Sequence, residues 1–193
     1  SNSIQYPKNE RELSDLIKQY YKSGIPIELL LEEVIAEVPG PVFLMKLMED
    51  AMHLEIQIIG DGTDVRHLFG RDCSLQRRNQ KLMEEGPITV APLEVRQRME
   101  EGAVNIGKIV NYRGAGTVEY LYRPDTGELS FLEVNPRLQV EHIVSEIITG
   151  VNLPALQVQI AMGKTLDELL PKWKEQGAPI KTKVSKEKFL FLG

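Results

Sequence analysis

Gly116-Thr117-Val118-Glu119-Tyr120-Leu121-Tyr122-Arg123-Pro124-Asp125-Thr126-Gly127-Glu128-Leu129-Ser130-Phe131-Leu132-Glu133-Val134-Asn135 is the stretch on which the reading of this chain turns. Pro124 to Glu128 carries turn chemistry, so Thr117 to Arg123 and Leu129 to Asn135 are expected as the two strands of a hairpin. Symmetric pairing sets Arg123 opposite Leu129 and Glu119 opposite Glu133. Directly opposed residues have Cβ atoms about 4.5–5.5 Å apart, and like charges there are destabilising. Both glutamates lie between apolar neighbours, where an unpaired carboxylate is costly to desolvate. A cationic group is therefore expected between them. Oxygen-only ligands with no His or Cys alongside suit a hard ion, Mg²⁺ or Mn²⁺, better than zinc. Taken alone, the pair is explained equally well by a shared proton or a nearby Arg or Lys.

Beyond Glu133 the polar residues fall on every second position, Glu133, Asn135, Arg137, Gln139 and Glu141, with apolar residues between most of them. An extended segment would gather all five on one face. Pro136 cannot donate to a ladder, so the strand is expected to leave the sheet there and carry the later residues over the site. A solvated edge strand would show the same alternation, but it would not explain Glu119 across the hairpin.

Working outward, Asn9 to about Val38 reads as helix interrupted at Gly24 and Pro26, and Pro39-Gly40-Pro41 ends that block. Strands are expected at Val42 to Met45, Leu54 to Ile58 and Val65 to Phe69, the last two joined through Gly60-Asp61-Gly62. Arg71 to Lys81, polar and basic, reads as a loop. Helical spacing returns at Leu93 to Val110, Val140 to Thr149, Leu153 to Met162 and Leu166 to about Gln176. The Lys-rich tail from Gly177 lacks a period and reads as a fraying end. The class is α+β, an antiparallel sheet with helices packed on one side.

The 193 residues, 42% of them hydrophobic, suffice for one packed domain. A net charge of −5 offers no long-range attraction for nucleic acid or anionic lipid, so neither is expected as a partner. The single cysteine, Cys73, excludes an internal disulfide and fits the reducing cytoplasm. No apolar run is long enough to span a membrane. Ser1-Asn2-Ser3 reads as a cloning remnant at the head of an excised piece.

Phe131 to His142, Arg71 to Lys81 and Gly114 to Tyr120 resemble three motifs of the biotin carboxylases, in family order, and the likeness runs from about Ala36 to Gly163. The wording of Phe69 to Ser74 and of Val151 to Gly163 is similar to eukaryotic, multidomain acetyl-CoA carboxylases. The resemblance implies an ATP-grasp core over residues 39–176. Residues 1–38 form a helical segment that is either foreign or a remnant of the lid, and 177–193 form a tail. The implied reaction uses ATP and bicarbonate to carboxylate biotin on a carrier domain, in fatty acid synthesis. Carried over residue by residue, Glu119, Glu133 and Asn135 would hold Mg²⁺ or Mn²⁺, and Glu141 would be the base that deprotonates bicarbonate. Arg137 would stabilise carboxyphosphate and the biotin enolate, while Lys81, Gln139 and the Val140 backbone would hold bicarbonate. Lys46, Met48, His53, Gln76, Asn79 and Leu121 would contact the nucleotide.

In the family the residue at Asn79 is usually histidine, and a glycine-rich lid usually lies upstream of Ala36, where only Gly24 is found. Little turnover is therefore expected from this stretch by itself. Its implied partners are the remaining domains of a parent carboxylase and a second copy of the chain. A pseudoenzyme keeping the scaffold is the alternative. Carbamoyl-phosphate synthase is a more distant one, disfavoured by Gln139-Val140-Glu141-His142 and Arg77-Arg78-Asn79-Gln80-Lys81.

Overall fold

The computed structural model describes residues 8–12, 14–15, 47–78 and 80–171, and the backbone of 189–192. Chain contacts divide it into Ser1–Glu49 and Asp50–Gly193. The division expected at 38/39 and the strand expected at Val42 to Met45 lie outside the described residues. In the first unit, residues 10–12 and 14–15 are helical. Asn9 caps that turn, its Oδ1 accepting from the Glu12 amide at 2.9 Å, and the Glu12 carboxylate accepts from the Asn9 Nδ2 at 3.2 Å and from the Lys8 amide at 2.9 Å.

The second unit is built on an antiparallel sheet of β1 (Met52–Asp61), β2 (Val65–Arg77), β3 (Gln80–Gly86), β4 (Arg113–Arg123), β5 (Glu128–Asn135) and β6 (Phe189–Leu192), in the order β5-β4-β1-β2-β3-β6. Helices α1 (Leu93–Ile109), α2 (His142–Thr149), α3 (Leu153–Ala161) and α4 (Leu166–Leu169) complete it. The α+β class and the antiparallel sheet are as expected, but the helices occupy both faces of the sheet. Strand alternation sends Leu54, Ile56 and Ile58 of β1 and Val118, Tyr120 and Tyr122 of β4 into one core with Met99 and Ala103 of α1. Ile59, Leu68 and Ala115 point the other way, into a second core with Leu153, Leu156 and Ile160 of α3 and Leu166 of α4. The α1 stripe Met99, Ala103, Gly107 recurs every fourth residue and ends on glycine because a Cβ at Gly107 would lie 2.8 Å from Val65 Cγ1.

Three expectations are corrected here. Arg71 to Lys81 is not a loop. Arg71 to Arg77 continues β2, and β3 begins at Gln80, because these polar side chains line a polar cleft where period-two alternation carries charge instead of apolar groups. Within the tail, Phe189–Leu192 pairs with β3, since four apolar residues find a free sheet edge there. The hairpin register also differs, with Arg123 opposite Glu128 and Tyr122 opposite Leu129, so four residues make the turn. A bulge at Leu132 then shifts the ladder by one and restores Glu119 opposite Glu133.

The β1–β2 turn is clasped to α4. Asp61 accepts from the Thr63 and Asp64 amides through Oδ1 at 2.8 and 2.7 Å, and from the Leu166 amide through Oδ2 at 2.8 Å. Burial alone would raise the Asp61 carboxyl, but these backbone donors hold it below the usual range. Arg66, buried, donates to Asp64, Asp167 and the Leu170 carbonyl. Asp61→Ala is expected to cost about 2 kcal/mol, the range for removing the acceptor of several backbone donors. A urea titration checks it, and a loss within experimental error of zero would contradict the clasp.

Candidate functional site

A row of charge crosses four adjacent strands in register. Glu133 on β5 faces Glu119 on β4, Glu119 faces Glu55 on β1, and Glu55 faces Arg71 on β2. Directly opposed residues project to the same side of a sheet, so three carboxylates and a guanidinium share one face with His53, Gln57, Thr117 and Leu121. This arrangement survives because cations and amides are threaded through it.

Lys81 enters from β3. Its ammonium donates to Glu55 Oε2 at 2.6 Å, Glu141 Oε1 at 2.6 Å and Glu119 Oε1 at 3.1 Å, using all three of its protons. Arg71, fully buried, donates from Nε to Glu55 Oε1 at 2.6 Å. His53 Nε2 lies 2.8 Å from Glu119 Oε2. Asn135 Nδ2 donates to Glu119 Oε1 at 2.9 Å and to Glu133 Oε1 at 3.2 Å, and Gln139 Nε2 donates to Glu119 Oε1 at 3.1 Å.

The electrostatics follow from these contacts. Burial pushes the Glu119 carboxyl up, yet His53, Lys81 and Gln139 outweigh it and hold the group down to about 2. Glu55 is likewise lowered, burial opposing and Arg71 and Lys81 prevailing. Lys81 is raised well above the ordinary ammonium range, since Glu55 and its other neighbours outweigh burial. Cys73 is pushed strongly up by burial and by Glu55, so its thiol stays protonated and unreactive. The buried carboxylates Glu55, Glu119 and Glu141 face two permanent cations, Arg71 and Lys81, which leaves an excess of negative charge on the cleft.

Of the residues singled out from sequence, Glu119, Glu133, Asn135, Gln139, Glu141, Lys81 and His53 meet here, and Leu121 lies opposite His53 on the same face. Gln76 lies opposite Lys81, but its amide turns back to donate to the Cys73 carbonyl at 3.0 Å. Lys46 and Asn79 lie outside the described residues, and Met48, buried, belongs to the first unit. Val140 is exposed. Arg137 departs from the expected common face. Regular extension stops at Asn135, and Arg137 is exposed, its Nη1 donating, among the described residues, only to the Leu138 carbonyl at 3.3 Å. It lines a cavity of about 450 Å³ with Arg113, Tyr112 and Ile160. Pro136 breaks the alternation at that position, and the turn from Gln139 to His142 brings Gln139 and Glu141 back to the cluster. The expectation that no histidine stands beside the carboxylates is corrected by His53, which reaches them from another strand.

Sequence reasoning missed Glu55 and the buried partners of Arg71, which are Gln57, Thr117 and Ser145. The available signal was the alternation Leu54-Glu55-Ile56-Gln57-Ile58, in which two polar residues share the face opposite the core.

Residues 30–169 match the family model described as the ATP-binding domain of the carbamoyl-phosphate synthase L chain. The acetyl-CoA carboxylase of Schizosaccharomyces pombe is 53% identical over 141 residues, 72% of this chain and 6% of that protein. The mitochondrial acetyl-CoA carboxylase of Saccharomyces cerevisiae is 56% identical over 137 residues, 69% of this chain and again 6% of the relative. The chain thus spans a small fraction of the relatives it matches. The structure also superposes on a Campylobacter jejuni biotin carboxylase in complex with β-γ-ATP, with a TM-score of 0.68 and 36% identity, covering 82% of this chain and 33% of that one. The biotin carboxylase domain dimer of Hydrogenobacter thermophilus 2-oxoglutarate carboxylase, bound to MgADP, ADP and bicarbonate, gives a TM-score of 0.66 and 40% identity over the same shares of the two chains.

Proposed function

Since the chain belongs to the ATP-grasp family defined by the ATP-binding domain of the carbamoyl-phosphate synthase large chain, we propose that it is the part of an acetyl-CoA carboxylase's biotin carboxylase that binds Mg-ATP and bicarbonate. The observation that carries this is the opposed pair Glu119 and Glu133 sharing one amide donor, with Lys81 spanning Glu55, Glu119 and Glu141. Both the identity of the relatives and the intact cluster favour a biotin carboxylase over a pseudoenzyme or a carbamoyl-phosphate synthase.

The donor set fits a hard divalent ion. Two carboxylates converge on the Asn135 Nδ2, a neutral donor standing where positive charge is wanted, and the cleft carries excess negative charge. Glu119, Glu133 and Asn135 would hold Mg²⁺ or Mn²⁺, which neutralises phosphate charge when bound. Everything else falls to the chain's own side chains. Lys81, exchanging one of its three carboxylate bonds for the anion, and Gln139, with the Val140 backbone, hold bicarbonate. Glu141, set at the start of α2, takes the bicarbonate proton onto its carboxylate. The freed carbonate oxygen attacks the γ-phosphorus of ATP and the bond to ADP breaks. Arg137, exposed and permanently charged, is free to meet the carboxyphosphate and then biotin delivered on a carrier domain. His53 and Leu121 flank the nucleotide, with Gln76 and Asn79 assigned to the same ligand. We further place the protein in fatty acid synthesis, in the cytoplasm, with the rest of a parent carboxylase and a second copy of the chain as partners.

Calorimetry with Mg-ATP tests the reading. Glu133 is exposed, so Glu133→Gln leaves the fold intact while removing one of two charges facing the ion. Affinity is expected to fall about tenfold, the effect of losing a charge-assisted contact. Equal affinity in a folded variant would end the proposal.

A further inference from the structure

Among the described residues Arg71 forms no hydrogen bond with Lys81, Glu119 or Glu141, yet it is fully buried and donates to side chains on β1, β4 and α2. Nε reaches Glu55 Oε1 at 2.6 Å, while Nη1 reaches Gln57 Oε1 at 2.8 Å and Ser145 Oγ of α2 at 2.6 Å. Thr117 Oγ1 of β4 stands 3.4 Å from Nη2. All four acceptor residues are themselves buried to 0% exposure. A buried charge with this many dedicated partners is weak evidence of stabilisation, because apolar packing would serve as well. Its geometry suits something else, the fixing of a direction.

We propose that Arg71, together with Ser145, is a positioning residue for the Lys81 ammonium. The contacts form a closed ring. Arg71 holds one oxygen of Glu55 and so aims the other, Oε2, at Lys81. Lys81 passes to Glu141, the residue at the start of α2. Ser145 lies four residues further along, on the same face of that helix, and returns the ring to Arg71. Two of the three carboxylates that orient Lys81 are therefore set by the one guanidinium, Glu55 directly and Glu141 through Ser145 on α2. A planar fork with donors at fixed angles does this, and a flexible lysine would not. The role assigned to Lys81 in anion binding rests on the function proposed above, but the ring itself does not.

The test follows the Lys81 ammonium by nitrogen-15 NMR in the whole chain, its signal assigned by loss in Lys81→Gln. In the wild type this ammonium exchanges protons with water slowly, since all three are engaged. Ser145→Ala removes one bond of the ring and no charge. It is expected to accelerate that exchange about tenfold, the factor matching one hydrogen bond of ordinary net strength, while the melting temperature stays near that of the wild type. Arg71→Lys keeps the charge and is expected not to restore slow exchange. Unchanged exchange in folded Ser145→Ala, or slow exchange retained in Arg71→Lys, would overturn the ring. Mg-ATP binding measured on the same samples separates the two ideas. A wild type that binds no nucleotide but shows the Ser145→Ala effect defeats the proposed function alone.

Discussion

Lys81→Met is expected to destabilise the domain by about 3–5 kcal/mol at neutral pH, the range for removing one partner from a buried ionic group. Methionine keeps the length and apolar stem of lysine, so packing along the stem is largely conserved. What goes is the single charge touching Glu55, Glu119 and Glu141, of which Glu55 is wholly buried. Glu55 would retain Arg71, and Glu119 would retain His53, but Glu141 makes no second ion pair among the described residues. The variant should recover by protonating a carboxylate, so its deficit should shrink between pH 7 and pH 4.5. Urea unfolding at the two pH values is the measurement. A deficit below about 1 kcal/mol at pH 7, the range of exposed pairs, would mean that the cluster is far wetter than its burial indicates.

Acid should weaken the fold over two pH intervals, and the upper one belongs to His67, four residues before Arg71 on β2. His67 packs edge-on against Phe69, and burial holds its ring down to about 4, from an ordinary 6.5. A histidine lowered in this way stabilises the fold fully above pH 6.5, and the contribution is lost as the pH falls from 6.5 towards 4. The shift corresponds to at most about 3 kcal/mol, less some screening at a ring that is one quarter exposed. Glu84 and Glu100, which burial pushes up, act in the opposite sense, gaining stability as the pH falls and partly offsetting His67. Glu119 and Glu55 are lowered, so their contribution is complete above about 4.5 and disappears below it, for Glu119 as the pH approaches 2. His67→Phe should flatten the curve between pH 6.5 and 4 and leave the lower limb in place. A variant whose urea midpoint tracks the wild type across that upper interval would refute the assignment.

The hairpin was legible because its turn residues announce themselves and because two glutamates inside apolar strands demand a partner. Helices α1 and α3 were legible through their spacing, and the structure adds the start of α3, where Asn152 accepts from the Ala155 amide at 2.8 Å. What stayed hidden had a common cause. Arg71 and Lys81 lie in strands whose polar faces meet each other, and a charge facing a polar cleft reads in sequence like a charge facing water. Glu55 was passed over because only the pairing of β1 with both β2 and β4 reveals that it is flanked by Arg71 and Glu119. Arg137 was placed with its neighbours by simple alternation, which the break after Asn135 ends.

The extra residue at Leu132 has a consequence for how this strand can change length. In a plain ladder, losing one amino acid turns every later side chain to the reverse side, and with it the whole acidic motif. Here the strand already holds one unpaired residue, so a chain lacking it would still bring Glu133 to Glu119 across an unbroken ladder. The irregularity is slack, and it lets the gene tolerate at that codon a deletion that would silence the motif one codon further along.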